Sequence, residues 1–148
     1  MGAVHVKTIL HSVEIVGKTT DVYEAWTDFE NYPSFMEGVR EVRQIDDRRY
    51  LWISDFDGTR VAWECAITLL IPHQRIAWRV VGDDGASGSV TIEPAGEGKS
   101  HVTFRLTYGN SAPWGIISEA AMRQRVCANL RRFKRLFEKG HALKRPVA

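Results

Sequence analysis

Trp26-Thr27-Asp28-Phe29-Glu30-Asn31-Tyr32-Pro33-Ser34-Phe35-Met36-Glu37-Gly38 lies between one strand-like segment and a long run of further strand candidates. Trp26, Phe29, Tyr32, Phe35 and Met36 are large and apolar, yet the stretch has no clean helical or strand period. Pro33 and Gly38 break it, since one lacks a backbone donor and the other supplies turn conformations. An irregular apolar linker has something to cover. Both the mouth of a cavity and a broken helix packed on a filled core are compatible with it.

Upstream, residues 4–16 read as a strand, with Ile9, His11, Val13 and Ile15 on one face and Thr8, Leu10, Ser12 and Glu14 on the other. A helix is expected from Thr19 or Thr20, either of which can act as its cap, through Tyr23 to Asp28. Downstream, strands are expected at about 39–46, 49–56, 59–71, 75–81, 87–94 and 101–109. Turn signals at Asp46-Asp47, Asp57-Gly58, Pro72-His73-Gln74, Gly82-Asp83-Asp84-Gly85 and Gly96-Glu97-Gly98 separate most of them. Connections this short imply an antiparallel meander.

Asp57-Gly58 is a two-residue hairpin signal and sets the register of the strands around it. Phe56 then faces Thr59, Ser54 faces Val61, Trp52 faces Trp63 and Tyr50 faces Cys65. The apolar face continues through Ile76, Trp78 and Val80, then Val90 and Ile92, then Val102, Phe104, Leu106 and Tyr108. Arg60, Glu64, Thr68, Arg79, Thr91, Glu93, His101, Thr103 and Arg105 occupy the opposite, wet face, where Glu64 and Arg79 are expected to form a cross-strand ion pair. Val126, Leu130, Phe133 and Phe137 recur at helical spacing, back towards Met122, and place a long amphipathic helix at about 113–138. One helix against a face of Trp, Tyr and Phe leaves either a cavity between large rings or a core those rings fill.

The chain of 148 residues is a single-domain length (1–148), and its 44% hydrophobic content suffices for one core. A formal charge of +2 gives no field that calls for nucleic acid. Basic residues concentrate between Arg123 and Arg145, with Glu138 the only acid there, as a solvated helix face or a patch for anionic partners. Cys65 and Cys127 are far apart and form no metal-ligand spacing, so a reducing, cytoplasmic setting without a zinc site is expected. No apolar run reaches the length of a membrane span, and no secretory leader is evident.

Strand, helix, aromatic linker, six-strand meander and terminal helix together resemble the helix-grip fold of the START-like (SRPBCC) superfamily. The text Asp21-Val22-Tyr23-Glu24-Ala25-Trp26 through Met36, with Arg75-Ile76-Ala77-Trp78-Arg79 and Leu130-Arg131-Arg132-Phe133-Lys134, looks like bacterial polyketide cyclase/dehydrase-type proteins. The resemblance implies an α+β fold: a seven-stranded antiparallel sheet wrapped around a long C-terminal helix, with small helices between strands one and two. It also implies an apolar small-molecule ligand or substrate, either cyclised and dehydrated as a polyketide-like intermediate or merely carried, as a lipid or quinone would be. Gly17-Lys18 replaces the Ala-Pro that often enters the first helix of such proteins, and no Arg of the middle strands points inward on this phasing.

No HExxH, GxSxG, phosphate loop or metal-ligand cluster is present, and no cofactor is expected. The candidate acid/base set is His11, Tyr108 and Ser54, because His11 alone among inward residues titrates near neutrality and a hydroxyl beside it would assist enolisation and loss of water. The expected ligand lining is Trp26, Tyr32, Phe35, Met36, Tyr50, Trp52, Trp63, Cys65, Trp78, Phe104, Trp114, Met122, Arg125, Val126 and Asn129. Tyr32, Phe35, Met36 and Trp114 form either a movable apolar gate over that site or fixed packing. A monomer or homodimer is expected.

Overall fold

The computed structural model describes residues 6–83 and 85–144, with side chains described to residue 140. Val4, His5, Asp84 and Arg145, invoked above, lie outside the described residues. In chain order the elements are β1 (Lys7–Val16), α1 (Thr19–Thr27), a 3-10 helix (Phe29–Ser34), β2 (Val39–Gln44), β3 (Arg49–Phe56), β4 (Thr59–Ile71), β5 (Arg75–Val80), β6 (Ser87–Pro94), β7 (Lys99–Tyr108) and α2 (Glu119–Lys144). The strands form one sheet of seven in the order β1-β7-β6-β5-β4-β3-β2, antiparallel throughout. This is the helix-grip architecture the sequence implied.

The β3–β4 register is as the hairpin signal required: Phe56 opposite Thr59, Ser54 opposite Val61, Trp52 opposite Trp63, Tyr50 opposite Cys65. Asp57 and Gly58 both take positive φ, 50° and 82°, the conformation whose twist matches the flanking strands. Further along β4 the pairing with β5 slips between Ile67 and Leu69, leaving Thr68 as an extra residue. Such a bulge bends the strand and increases its local twist.

Three local expectations are corrected. Thr19 and Thr20 do not cap α1; Lys18 holds the cap position and no side chain bonds there. The terminal helix begins at Glu119 rather than near 113, because Ser118 Oγ accepts the Ala121 N–H at 3.1 Å and stops the helix at its own position. Glu64 pairs with Arg49 at 3.7 Å, not with Arg79, which sits opposite Ala66.

Val126, Leu130, Phe133 and Phe137 of α2 are buried together with the inner rows of the sheet. Gly17, at the β1–α1 junction, allows this approach: a Cβ there would stand 2.5 Å from the Phe137 ring. Side chains of α2 also close the free edge of β1, where unpaired backbone groups would invite another strand. Glu138 accepts the Val16 N–H at 2.7 Å, Arg123 donates to the Thr8 carbonyl at 3.2 Å, and Lys134 donates to the Glu14 carbonyl. Some of the basic residues of this helix therefore seal an edge.

Candidate functional site: an apolar cavity between sheet and helix

The aromatic linker divides into two parts with different neighbours. Tyr32 and Phe35 pack with Trp26 and Phe133 at ring-centroid distances of 4.6–5.6 Å, and the Tyr32 hydroxyl donates to the Trp26 carbonyl. Burial holds the Tyr32 phenol well above its ordinary pKa, with Tyr50 adding to the effect. These two rings are buried in the core and do not line the cavity. Just beyond them α2 clamps the linker: Asn129 Oδ1 accepts the Glu37 N–H at 3.0 Å and Arg125 donates to the Glu37 carbonyl at 3.2 Å. Gly38 follows at φ 86°, where a side chain would collide with the Arg125 guanidinium.

Under this clamp lies a cavity of about 90 Å³ between sheet and helix. All five tryptophans of the chain, Trp26, Trp52, Trp63, Trp78 and Trp114, line it. Met36, Ser54, Cys65, Phe104, Met122, Arg125, Val126 and Asn129 complete the expected lining that the structure brings together. Trp63 stacks between Trp52 and Phe56, nearly parallel to both at 5.9 and 6.2 Å, and the Arg125 guanidinium lies 4.9 Å from the Phe56 ring. Polar groups gather at one end, in Glu37, Arg125 and Asn129. Arg125 has no carboxylate partner among the described residues.

Sequence reasoning missed Glu37, Val39, Phe56, Leu106 and Leu130 as lining residues. Phe56 and Leu106 were legible, being in phase with Trp52 and Phe104. Glu37 and Val39 were not, since only the clamp brings that backbone to the mouth. Tyr50 proves peripheral; its ring packs on Phe29 at 4.8 Å, and burial with the nearby Glu30 raises its pKa.

The expected acid/base set does not assemble. His11 is in phase with Ile9 and Ile15, as its alternation required, but it faces a separate groove beside Arg123, Gln124, Cys127 and Arg131. It lies on the edge strand against another side of α2, so inward phase does not bring it to the cavity. Tyr108 sits behind Trp114, with ring centroids 5.7 Å apart, outside the lining; burial, then Glu119, raises its pKa, so its hydroxyl keeps its proton. Of the trio only Ser54 lines the cavity. The Cys65 thiol is pushed up to about 12 by burial, which removes it as a nucleophile near neutral pH.

What remains inside is a small set of hydrogen-bonding groups without partners. Ser54 Oγ, Trp26 Nε1 and Trp114 Nε1 are buried, belong to cavity-lining residues and find no acceptor or donor among the described residues. Their residues are 0%, 1% and 4% exposed. Buried polar groups are normally paired, and each orphan costs about 1–3 kcal/mol. All three belong to residues that surround one apolar space.

Residues 18–134 match the family model described as polyketide cyclase / dehydrase and lipid transport. The chain belongs to this family. A 17.2 kDa protein of Streptomyces lincolnensis, whose function is not characterised, is 26% identical over 130 residues, which are 86% of this chain and 87% of that one. Among solved structures, a protein of Deinococcus radiodurans is 31% identical, with a TM-score of 0.73 over 90% of this chain and 99% of its own. The Zhui aromatase/cyclase of Streptomyces sp. R1128 is 16% identical and shares the fold at a TM-score of 0.70, over 97% of this chain and 98% of its own. Members of this family hold apolar small molecules, and the sheet-helix cavity is where this one has room for such a ligand. No helix among the described residues is long and apolar enough to cross a membrane, and no group of three or more His, Cys, Asp or Glu among them is placed to hold a metal ion.

Proposed function

We propose that this protein binds an apolar, ring-containing small molecule bearing carbonyl or hydroxyl oxygens, such as a polyketide-like or quinone-like compound, and holds it in the sheet-helix cavity. The observation that carries this reading is the triad of unpartnered groups, Ser54 Oγ, Trp26 Nε1 and Trp114 Nε1, in an otherwise apolar lining. Indole N–H groups donate only, so they select acceptor oxygens. Tryptophan faces favour flat ligands. A space of about 90 Å³ is smaller than the roughly 150 Å³ that accommodates benzene in an engineered apolar cavity. A bicyclic ligand therefore requires side chains to move, and Met36 and Trp114, on the irregular segments, are the ones to do so.

With Glu37 at its mouth as the one carboxylate among the lining residues, a carrier role is the first reading. A cyclase/dehydratase role is the second. It is favoured by the family description and by the same donors, which would polarise a ketone and stabilise the enolate formed from it. Glu37 is then the base, in place of His11.

Because every tryptophan lines the cavity, intrinsic fluorescence reports on it directly. Titration with 1,4-naphthoquinone is expected to quench saturably, and naphthalene, which has the shape without the oxygens, to bind about tenfold more weakly. Equal affinity for the two compounds overturns the role of the donors. Turnover of a cyclisable poly-β-ketone, lost in Glu37→Gln, supports the enzyme, and absence of turnover with binding intact supports the carrier.

A further inference from the structure

The outer face of the sheet treats its cations in two ways. Arg40, Arg43, Arg49, Arg60 and Lys99 each lie within 4 Å of a carboxylate, while Lys7, in phase with the inner row of β1, lies 5.7 Å from the Tyr108 ring centroid. Arg75, Arg79 and Arg105 are the remaining strand-borne cations among the described residues. They have neither an acid nor a ring partner, and all three border one depression of about 330 Å³.

The register explains how they meet. Ala77 pairs with Ser89 and Ser89 with Arg105, while Arg79 pairs with Ser87 and Ser87 with Thr107. Ala77 and Ser89 therefore form a small-residue floor between Arg75 and Arg79 on one strand and Arg105 two strands away. The bulge residue Thr68 opens onto the same space. Glu64, the acid that sequence reasoning assigned to Arg79, is held by Arg49 instead. The sheet thus leaves three cations around one depression without a counter-charge among the described residues, and an anion from outside can supply it.

We propose that this depression, which shares only Trp78 with the apolar cavity, binds a phosphate group of a small molecule. A guanidinium presents parallel N–H donors that match phosphate oxygens two at a time. A phosphate monoester carries close to two negative charges near neutral pH, which suits three cations better than a single carboxylate does. The hydroxyls of Ser87, Ser89 and Thr107 supply further donors along the same floor. The phosphate can belong to a soluble compound or to a lipid headgroup.

The test uses the full chain in phosphate-free buffer at constant ionic strength, with inorganic pyrophosphate as probe and acetate as control. Amide resonances of Ala77, Arg79, Gly88, Ser89 and Arg105 are expected to shift saturably with pyrophosphate and not with acetate. Arg79→Gln and Arg105→Gln are each expected to weaken binding at least about tenfold. Without anion both variants should unfold at the wild-type temperature or slightly above it, because a repulsion is relieved. Their unfolding temperature should no longer rise with pyrophosphate. Co-sedimentation with vesicles containing phosphatidic acid, compared with phosphatidylcholine alone, distinguishes the sources. Vesicle binding that the variants abolish, with weak pyrophosphate binding, assigns the site to a lipid phosphate; the converse assigns it to a soluble one. If neither probe binds, or if the substitutions leave the affinities unchanged, the proposal fails.

Discussion

Replacing Ser54 by alanine should stabilise this protein while impairing it. Ser54 is 0% exposed and its hydroxyl has no partner among the described residues. Removing an unpaired buried hydroxyl recovers about 1–3 kcal/mol of desolvation. Against this, the cavity grows by roughly one oxygen, about 10–15 Å³. At about 24 cal/mol per Å³ that enlargement costs about 0.3 kcal/mol. The first effect wins, and Ser54→Ala should gain about 1 kcal/mol or more. For a chain of this size that is a rise of about 2–4 °C in unfolding temperature per kcal/mol. Urea titration should show a higher midpoint at an unchanged slope. The same variant should bind naphthoquinone about tenfold more weakly, since the ligand oxygen loses a donor, with naphthalene affinity unchanged. Stability exchanged for binding in this way is the usual mark of a functional polar group in a core. A drop in the midpoint would refute the reasoning, because it would mean that the hydroxyl is satisfied in the free protein.

Three other outcomes follow from the packing. Gly88→Ala places a Cβ about 2.5 Å from the Trp78 indole, which has room to move only into the cavity; a loss of about 1–3 kcal/mol in urea titration and reduced naphthoquinone capacity are expected. Glu138→Ala leaves the Val16 N–H unpaired at the sheet edge and should lower stability by about 1–2 kcal/mol, with concentration-dependent association visible by size-exclusion chromatography. Cys65 is held above its ordinary value of 9.0, at about 12, so the unfolded chain loses that proton first. Its contribution to stability is complete below about pH 9 and is lost as pH rises towards 12; Cys65→Ala should flatten that alkaline decline in thermal unfolding. Iodoacetamide at pH 8 should modify only the partly exposed Cys127, read by mass spectrometry.

Element types, the meander and the β3–β4 register were legible in the sequence because they depend on short-range chemistry. Asp57-Gly58 dictates a turn with two positive φ angles, and period-two alternation then assigns Trp52, Trp63, Trp78 and Phe104 to one face without knowledge of the rest. The start of α2 was legible too, in Ser118 ahead of Glu119-Ala120-Ala121, although the apolar period alone extended the helix too far back. The face of His11 was correctly phased, yet phase is a property of one strand and says nothing about which part of the helix covers it. That β1 is an edge strand, closed by Arg123, Lys134 and Glu138, is decided by contacts more than a hundred residues apart.

By itself, then, the sequence determined a sheet with one aromatic face and a helix to cover it, since side-chain period and turn chemistry are local. Tertiary structure alone decided which of those side chains share the cavity. Tyr32 and Phe35 turned into the core, Tyr108 was left behind Trp114, and Glu37 came to the mouth through a clamp from Arg125 and Asn129. It also gathered Arg75, Arg79 and Arg105 around one floor while giving Glu64 to Arg49. Packing in three dimensions is settled by which surfaces fill space together, and no residue spacing along a chain encodes that directly.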